Sequence, residues 1–133
     1  MKRVILVVED QADIRKLITM TLDFGDYEIH EAEDGAQGLF KAGALRPNLI
    51  LLDVMMPGGL DGFQVCERVK ADATLRGTRV VMLTARGQKS DLETGEKAGA
   101  DAYLTKPFSP LELIDTVEKL LAEDAEERSR MVA

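Results

Sequence analysis

One cysteine and one histidine among 133 residues leave little room for the commonest metal and redox sites of proteins. Cys66 alone cannot close an internal disulfide, and no thiolate pair or histidine cluster of zinc-type spacing exists. His30, interior to a strand pattern, reads as structural. No apolar run approaches the roughly 20 residues that span a bilayer. Met1 leads straight into a strand pattern, without the charged start, apolar stretch and cleavage site of a secretory signal. A cytoplasmic setting without membrane attachment is the expectation. Positive charge is also short, because 17 basic against 24 acidic residues give a net charge of −7. Neutralising phosphates takes Lys and Arg, so this balance argues against direct nucleic-acid binding and for a small protein or cationic partner. Internal repeats, Pro- or Ser-rich linkers and low-complexity tracts are missing too.

What remains is enough apolar sequence, 45% of the chain, for the core of one ordinary domain. VILVV (4–8), NLILL (48–52) and RVVML (79–83) are short continuous apolar runs, the pattern of strands buried on both faces of a parallel sheet. YEIHEAE (27–33) and DAYLT (101–105) are weaker and belong nearer an edge. Between them lie amphipathic helices: Ile14, Leu17, Ile18, Thr21 and Leu22 follow helical spacing, as do Ile114, Val117, Leu120 and Leu121. Asp34-Gly35 and Asp61-Gly62 open two further helices, and Ser109-Pro110-Leu111-Glu112 is a capping box with Pro in the first helical position. Gly25 and Gly99 stand where helices should stop. The alternation predicts an α/β domain of five strands and five helices over residues 1–122. The charged stretch 123–133 has too few apolar residues to pack and reads as a solvated tail.

Parallel sheets covered by helices place their sites outside the carboxyl ends of the strands. Asp53 closes the third strand, Glu9 and Asp10 the first, Thr84 the fourth, and Lys106 follows the fifth. Taken singly, each has a plain structural reading: an Asp after a strand caps a helix or turn, a Thr ends a strand, and a loop Lys is solvated. Their coincidence at one kind of position favours a site. Three carboxylates at one rim repel and take up protons unless a cation neutralises them, which implies a divalent ion. Mg2+ suits the set best, since it takes one or two carboxylates, waters and phosphate oxygens, whereas Ca2+ wants more protein oxygens.

VVED (7–10), LLDVMMP (51–57), LTA (83–85) and GADAYLTKPF (99–108), in that order and spacing, resemble the receiver domain of two-component response regulators, over residues from about 2 to 121. The resemblance implies a flavodoxin-like doubly wound (βα)5 fold with five parallel strands ordered 2-1-3-4-5. It implies that Asp53 accepts a phosphoryl group from a histidine kinase or histidine phosphotransfer protein. Asp10 would hold Mg2+ directly and Glu9 through water, with Asp53 and the Met55 carbonyl as further ligands, while Thr84 and Lys106 would hold phosphoryl oxygens. The Lys106-Pro107 bond would be cis. Thr84 and Tyr103 resemble the family's switch pair, which would alter the surface of the fourth helix, fifth strand and fifth helix toward an unknown downstream protein target. The donor would dock on Asp13, Ile14 and Leu17 beside Pro107 and Phe108.

Two departures from the family pattern stand out: MPGGLDG carries one residue more than the usual loop after the phosphoacceptor, and the acidic pair is Glu-Asp where Asp-Asp is common. Met55 and Arg86 occupy the two places that flank the water attacking the phosphoryl group in the family. A thioether is a weak acceptor and a guanidinium cannot act as base, so slow dephosphorylation is expected. The chain reads as a single-domain regulator, with a fragment of a hybrid kinase or larger regulator as the alternative. An aspartate-nucleophile phosphohydrolase would need an acid at Met55, and a flavodoxin-like cofactor carrier would not place Glu9 and Asp10 where a phosphate must sit.

Overall fold

The computed structural model describes residues 2–23, 25–56, 58–85 and 89–132. Its elements alternate without exception: β1 (Arg3–Val8), α1 (Ala12–Leu22), β2 (Tyr27–Ala32), α2 (Gly35–Leu45), β3 (Leu49–Asp53), α3 (Gly62–Ala71), a 3-10 turn (Ala73–Leu75), β4 (Arg79–Ala85), α4 (Lys89–Ala98), β5 (Ala102–Lys106) and α5 (Pro110–Val132). The strands form one parallel sheet in the order β2-β1-β3-β4-β5. This is the flavodoxin-like order that the family resemblance implied.

The continuous apolar runs have a direct cause in this arrangement. Successive strand side chains point to opposite faces, and both faces of the central strands are covered. Leu6, Val8, Ile50 and Leu52 join Val65, Cys66 and Val69 of α3 in one core, while Ile5, Val7, Leu49 and Leu51 join Ile18 and Leu22 of α1 and Leu113 and Val117 of α5 in the other. All five residues of β3 are buried. The more polar β2 and β5 are the two edges, as their mixed patterns suggested. On α1 the buried stripe is narrower than the sequence pattern, since Ile18 and Leu22 are buried but Leu17 stays 48% exposed.

Helix ends follow their local chemistry. Asp34 caps α2 through the Gln37 N–H, and Asp61 and Gln64 form a reciprocal capping box on α3. Ser109 Oγ accepts the Glu112 N–H at 3.1 Å. Gly99, at φ +96°, turns the chain out of α4 in the left-handed region that glycine adopts without strain. The chain does not leave α5 at 122, because the backbone stays helical through the charged stretch to Val132, in keeping with the high helix propensity of its Ala, Glu and Arg residues. No helix among the described residues is long and apolar enough to cross a membrane.

The long loop after β3 is closed tightly on one side only. Gly62 N–H donates to the Val54 carbonyl at 3.0 Å, and a Cβ at Gly62 would lie 2.8 Å from Val54 Cα and closer still to the Asp53 carbonyl oxygen. Further out, Gly58 (φ +96°) and Gly59 stand in open space, with nothing within 4 Å of where a Cβ would lie. Gly62→Ala is therefore expected to lower stability by roughly 1–3 kcal/mol, the usual range for forcing atoms into a packed site, whereas Gly59→Ala should change it little. Denaturant unfolding of both variants checks this, and equal stabilities would contradict the close approach.

Candidate functional site

The order of the sheet brings the carboxyl ends of β1, β3 and β5 to one rim, and the side chains leaving them converge. Ligand oxygens of Glu9, Asp10 and Asp53 all lie within 4.8 Å of one another. Glu9 and Asp10 do not cap α1: its N-cap is Gln11, with no side-chain capping bond. Lys106 reaches in from β5, its Nζ 2.6 Å from Glu9 Oε1 and 3.2 Å from Asp53 Oδ1. The Lys106-Pro107 bond is cis, as the resemblance implied.

Depth separates the acids. Glu9 is fully buried, and its second oxygen accepts the Gln11 N–H at 3.4 Å. Asp53 is 4% exposed. It reaches an open cleft of about 220 Å3 lined by Asp10, Gln11, Asp53, Val54, Met55, Leu83 and Lys106. Glu9 and Thr84 do not line that cleft, and Thr84 is 2% exposed near the end of β4. Met55 lines its mouth, 74% exposed, with its N–H donating to Asp53 Oδ1 at 3.3 Å.

Charge crowding shows in the acidities. Burial first, then the adjacent Glu9 and Asp10, push the Asp53 carboxyl up from 3.8 to about 8, with the Lys106 ammonium pulling the other way. Burial also works against ionisation at Asp10, but hydrogen bonds from Asp53 and Glu9 outweigh it and its carboxyl sits below the usual range. Burial works against charge on Lys106, but the Glu9 hydrogen bond and the Asp53 charge outweigh it and hold the ammonium above its ordinary 10.5. Burial and the neighbouring acids together thus disfavour the ionised form of Asp53, and the repulsion among the acids is what a bound divalent cation relieves.

Other expected positions are also brought near the rim. Ile14, Leu17, Lys106, Pro107 and Phe108 line a second, largely apolar groove of about 290 Å3 beside the cleft. Asp13 is exposed in the first turn of α1 and does not line it. The Tyr103 ring packs on α4, where a Cβ at Gly95 would meet it at 2.6 Å, and its hydroxyl is buried without a hydrogen-bond partner among the described residues. Arg86 lies outside the described residues. His30 pairs with Glu28 on β2, 2.9 Å away. Sequence reasoning missed Arg15, whose guanidinium donates to the Glu9 carbonyl at 2.8 Å. The signal available was its position one turn before the buried Ile18, facing the alternating Glu31 and Glu33.

A family model described as the response regulator receiver domain matches residues 5–118. The chain is 44% identical over 117 residues to the transcriptional regulatory protein ResD of Bacillus subtilis, a match covering 88% of the chain and 47% of ResD. It is 38% identical over 133 residues to the DNA-binding response regulator MtrA of Mycolicibacterium paratuberculosis, covering all of the chain and 57% of MtrA. The crystal structure of the chemotaxis response regulator CheY4 of Vibrio cholerae superposes with a TM-score of 0.84 at 32% identity, over 90% of this chain and 99% of that one. The chain spans about half the length of the relatives it matches in sequence. The expectation of no direct nucleic-acid binding is corrected by these relatives, which are named as transcriptional and DNA-binding regulators. The charge argument weighed only these 133 residues, and the relatives carry about as many again. With its family model, relatives, strand order and rim of acids in agreement, the chain belongs to the receiver domains of two-component response regulators.

Proposed function

We propose that this receiver accepts a phosphoryl group on Asp53, in a Mg2+-dependent reaction in the cytoplasm, from the phosphohistidine of a histidine kinase or histidine phosphotransfer protein. The observation that carries the reading is the position of Asp53: it ends a fully buried strand, opens onto a cleft, and lies within reach of one ammonium and two further acids. An oxygen of the ionised Asp53 carboxylate forms the new bond to phosphorus as the donor's nitrogen–phosphorus bond breaks, and the donor, protonated on its other ring nitrogen, keeps the bonding pair and leaves as neutral imidazole. Lys106 and the Thr84 hydroxyl hold phosphoryl oxygens as charge is redistributed. Asp10 and Asp53, with the Met55 carbonyl and Glu9 through water, are the groups that would hold Mg2+. When bound, the ion neutralises charge on the cluster and on the phosphoryl group.

A phosphohydrolase reading finds no support at Met55, whose exposed thioether cannot serve as a general acid. The same side chain favours slow loss of the phosphoryl group, because its thioether is too weak an acceptor to orient water at the mouth of the cleft. The inward Tyr103 ring and Thr84 make up the switch that alters the face of α4, β5 and α5, and in a regulator of the ResD or MtrA type that face would act on the rest of the protein.

Acetyl phosphate with Mg2+ should label the wild-type chain at one residue, and Asp53→Asn or a chelator should abolish the label, read by intact mass. Undiminished labelling of Asp53→Asn would overturn the proposal. Ile14→Asp, in the apolar groove, should slow transfer from a phosphohistidine protein while sparing acetyl phosphate, and equal loss of both would argue against donor docking there.

The acidities give a pH signature. Folded Asp53 keeps its proton to about pH 8 but loses it near 3.8 when unfolded, so in that window the native state binds the extra proton and rising pH favours unfolding. Thermal unfolding without metal should therefore show wild-type stability falling across the window relative to Asp53→Asn. Added Mg2+ should stabilise the wild type most at the alkaline end. Parallel pH profiles for the two proteins would contradict the assignment.

A further inference from the structure

Arg15 is a charged side chain only 13% exposed, and its guanidinium donates to one peptide carbonyl and one acid and faces a second acid. Nη1 donates to the Glu9 carbonyl at 2.8 Å, Nε donates to Glu31 Oε1 on β2 at 3.0 Å, and Nη2 lies 3.7 Å from Glu33 Oε1. The Glu9 carbonyl belongs to the peptide that joins Glu9 to Asp10. It lies past Val8, the last residue of β1 paired with β2, where the ladder has only the Glu9 N–H to Ala32 carbonyl bond left to give. The peptide from which Asp10 springs is thus held by a guanidinium fork that is itself fastened to the edge strand.

We propose that Arg15 is a positioning residue for Mg2+ binding: its guanidinium fixes the plane of the Glu9–Asp10 peptide against β2, and with it the direction of the Asp10 carboxylate toward the metal. The inference rests on the Mg2+ reading above and adds to it a residue outside the cleft. Neutralisation of the acid cluster is not its task, since the two acids in contact with Arg15, Glu31 and Glu33, are not members of that cluster. A Lys at this place keeps the charge but not the planar fork that can hold a carbonyl and a carboxylate together.

The charge and the fork make opposite predictions. Removing a cation near a divalent site raises metal affinity by field alone, whereas loosening the ligand that the cation positions lowers it. Wild type, Arg15→Ala and Arg15→Lys are titrated with magnesium chloride by calorimetry, with the backbone amide shifts of Asp10 and Asp53 followed by NMR and folding checked by thermal unfolding without metal. Both variants should bind Mg2+ about tenfold more weakly, the lower end of what groups supporting a metal ligand contribute. Unchanged or tighter binding in Arg15→Ala, or full wild-type affinity in Arg15→Lys, would overturn the proposal. If Arg15→Ala does not fold, Arg15→Lys decides the matter by the same criterion. A wild-type chain that binds no Mg2+ would instead remove the functional reading, and that result appears before any substitution is made.

Discussion

Three acids brought to one rim by two strands, β1 and β3, are opposed by the ammonium of Lys106 from a third, at 2.6 Å from Glu9 and 3.2 Å from Asp53, and much of the domain bears on that contact. It ties the end of an edge strand to the loop after the central strand β1 and to the end of β3. Burial and the two neighbouring acids raise the Asp53 carboxyl well above its ordinary value, and the one ammonium only partly offsets them. The imbalance is what makes the rim receptive. A divalent ion and an incoming phosphoryl group together bring the charge that the side chains alone leave uncompensated. The helices α1 and α3 serve this rim as well, the first through Arg15 on the Glu9 carbonyl and the second through Gly62 on the Val54 carbonyl.

Much of this was legible in the sequence because burial writes a strong pattern. A strand covered on both faces has no polar position to spare, so NLILL announces a central parallel strand and makes the carboxylate that follows conspicuous. The same logic marked Glu9, Asp10, Thr84 and Lys106 as strand-end residues, and the structure brings all but Thr84 into described contact or close approach. The strand order and the cis bond before Pro107 were implied by the resemblance and not by the pattern. Both are found.

What escaped the sequence depends on depth and on neighbours distant along the chain. Alternation tells which face a residue takes but not how far below the surface it ends, so nothing distinguished the fully buried Glu9 from Asp10 at the cleft. Leu17 fits the periodicity of a buried stripe and is nevertheless half exposed, because the groove beside Pro107 and Phe108 is left open over it. Arg15 was invisible because its partners sit 6, 16 and 18 residues away on other elements. The charged stretch 123–132 illustrates the converse limit: too polar to bury a face, it still satisfies its backbone by continuing a helix that packing has already started.

The central claim is that the group made chemically special by this arrangement is the carboxylate of Asp53. Borohydride reduces an acyl phosphate to the alcohol and leaves free carboxylates untouched. Treating the chain with acetyl phosphate and Mg2+, reducing it, and sequencing its peptides by mass spectrometry tests the claim most directly. The account predicts homoserine at position 53 and unmodified Asp10 and Glu9. Reduction at either of those residues, or none at 53 in a chain that carries the label, would contradict it.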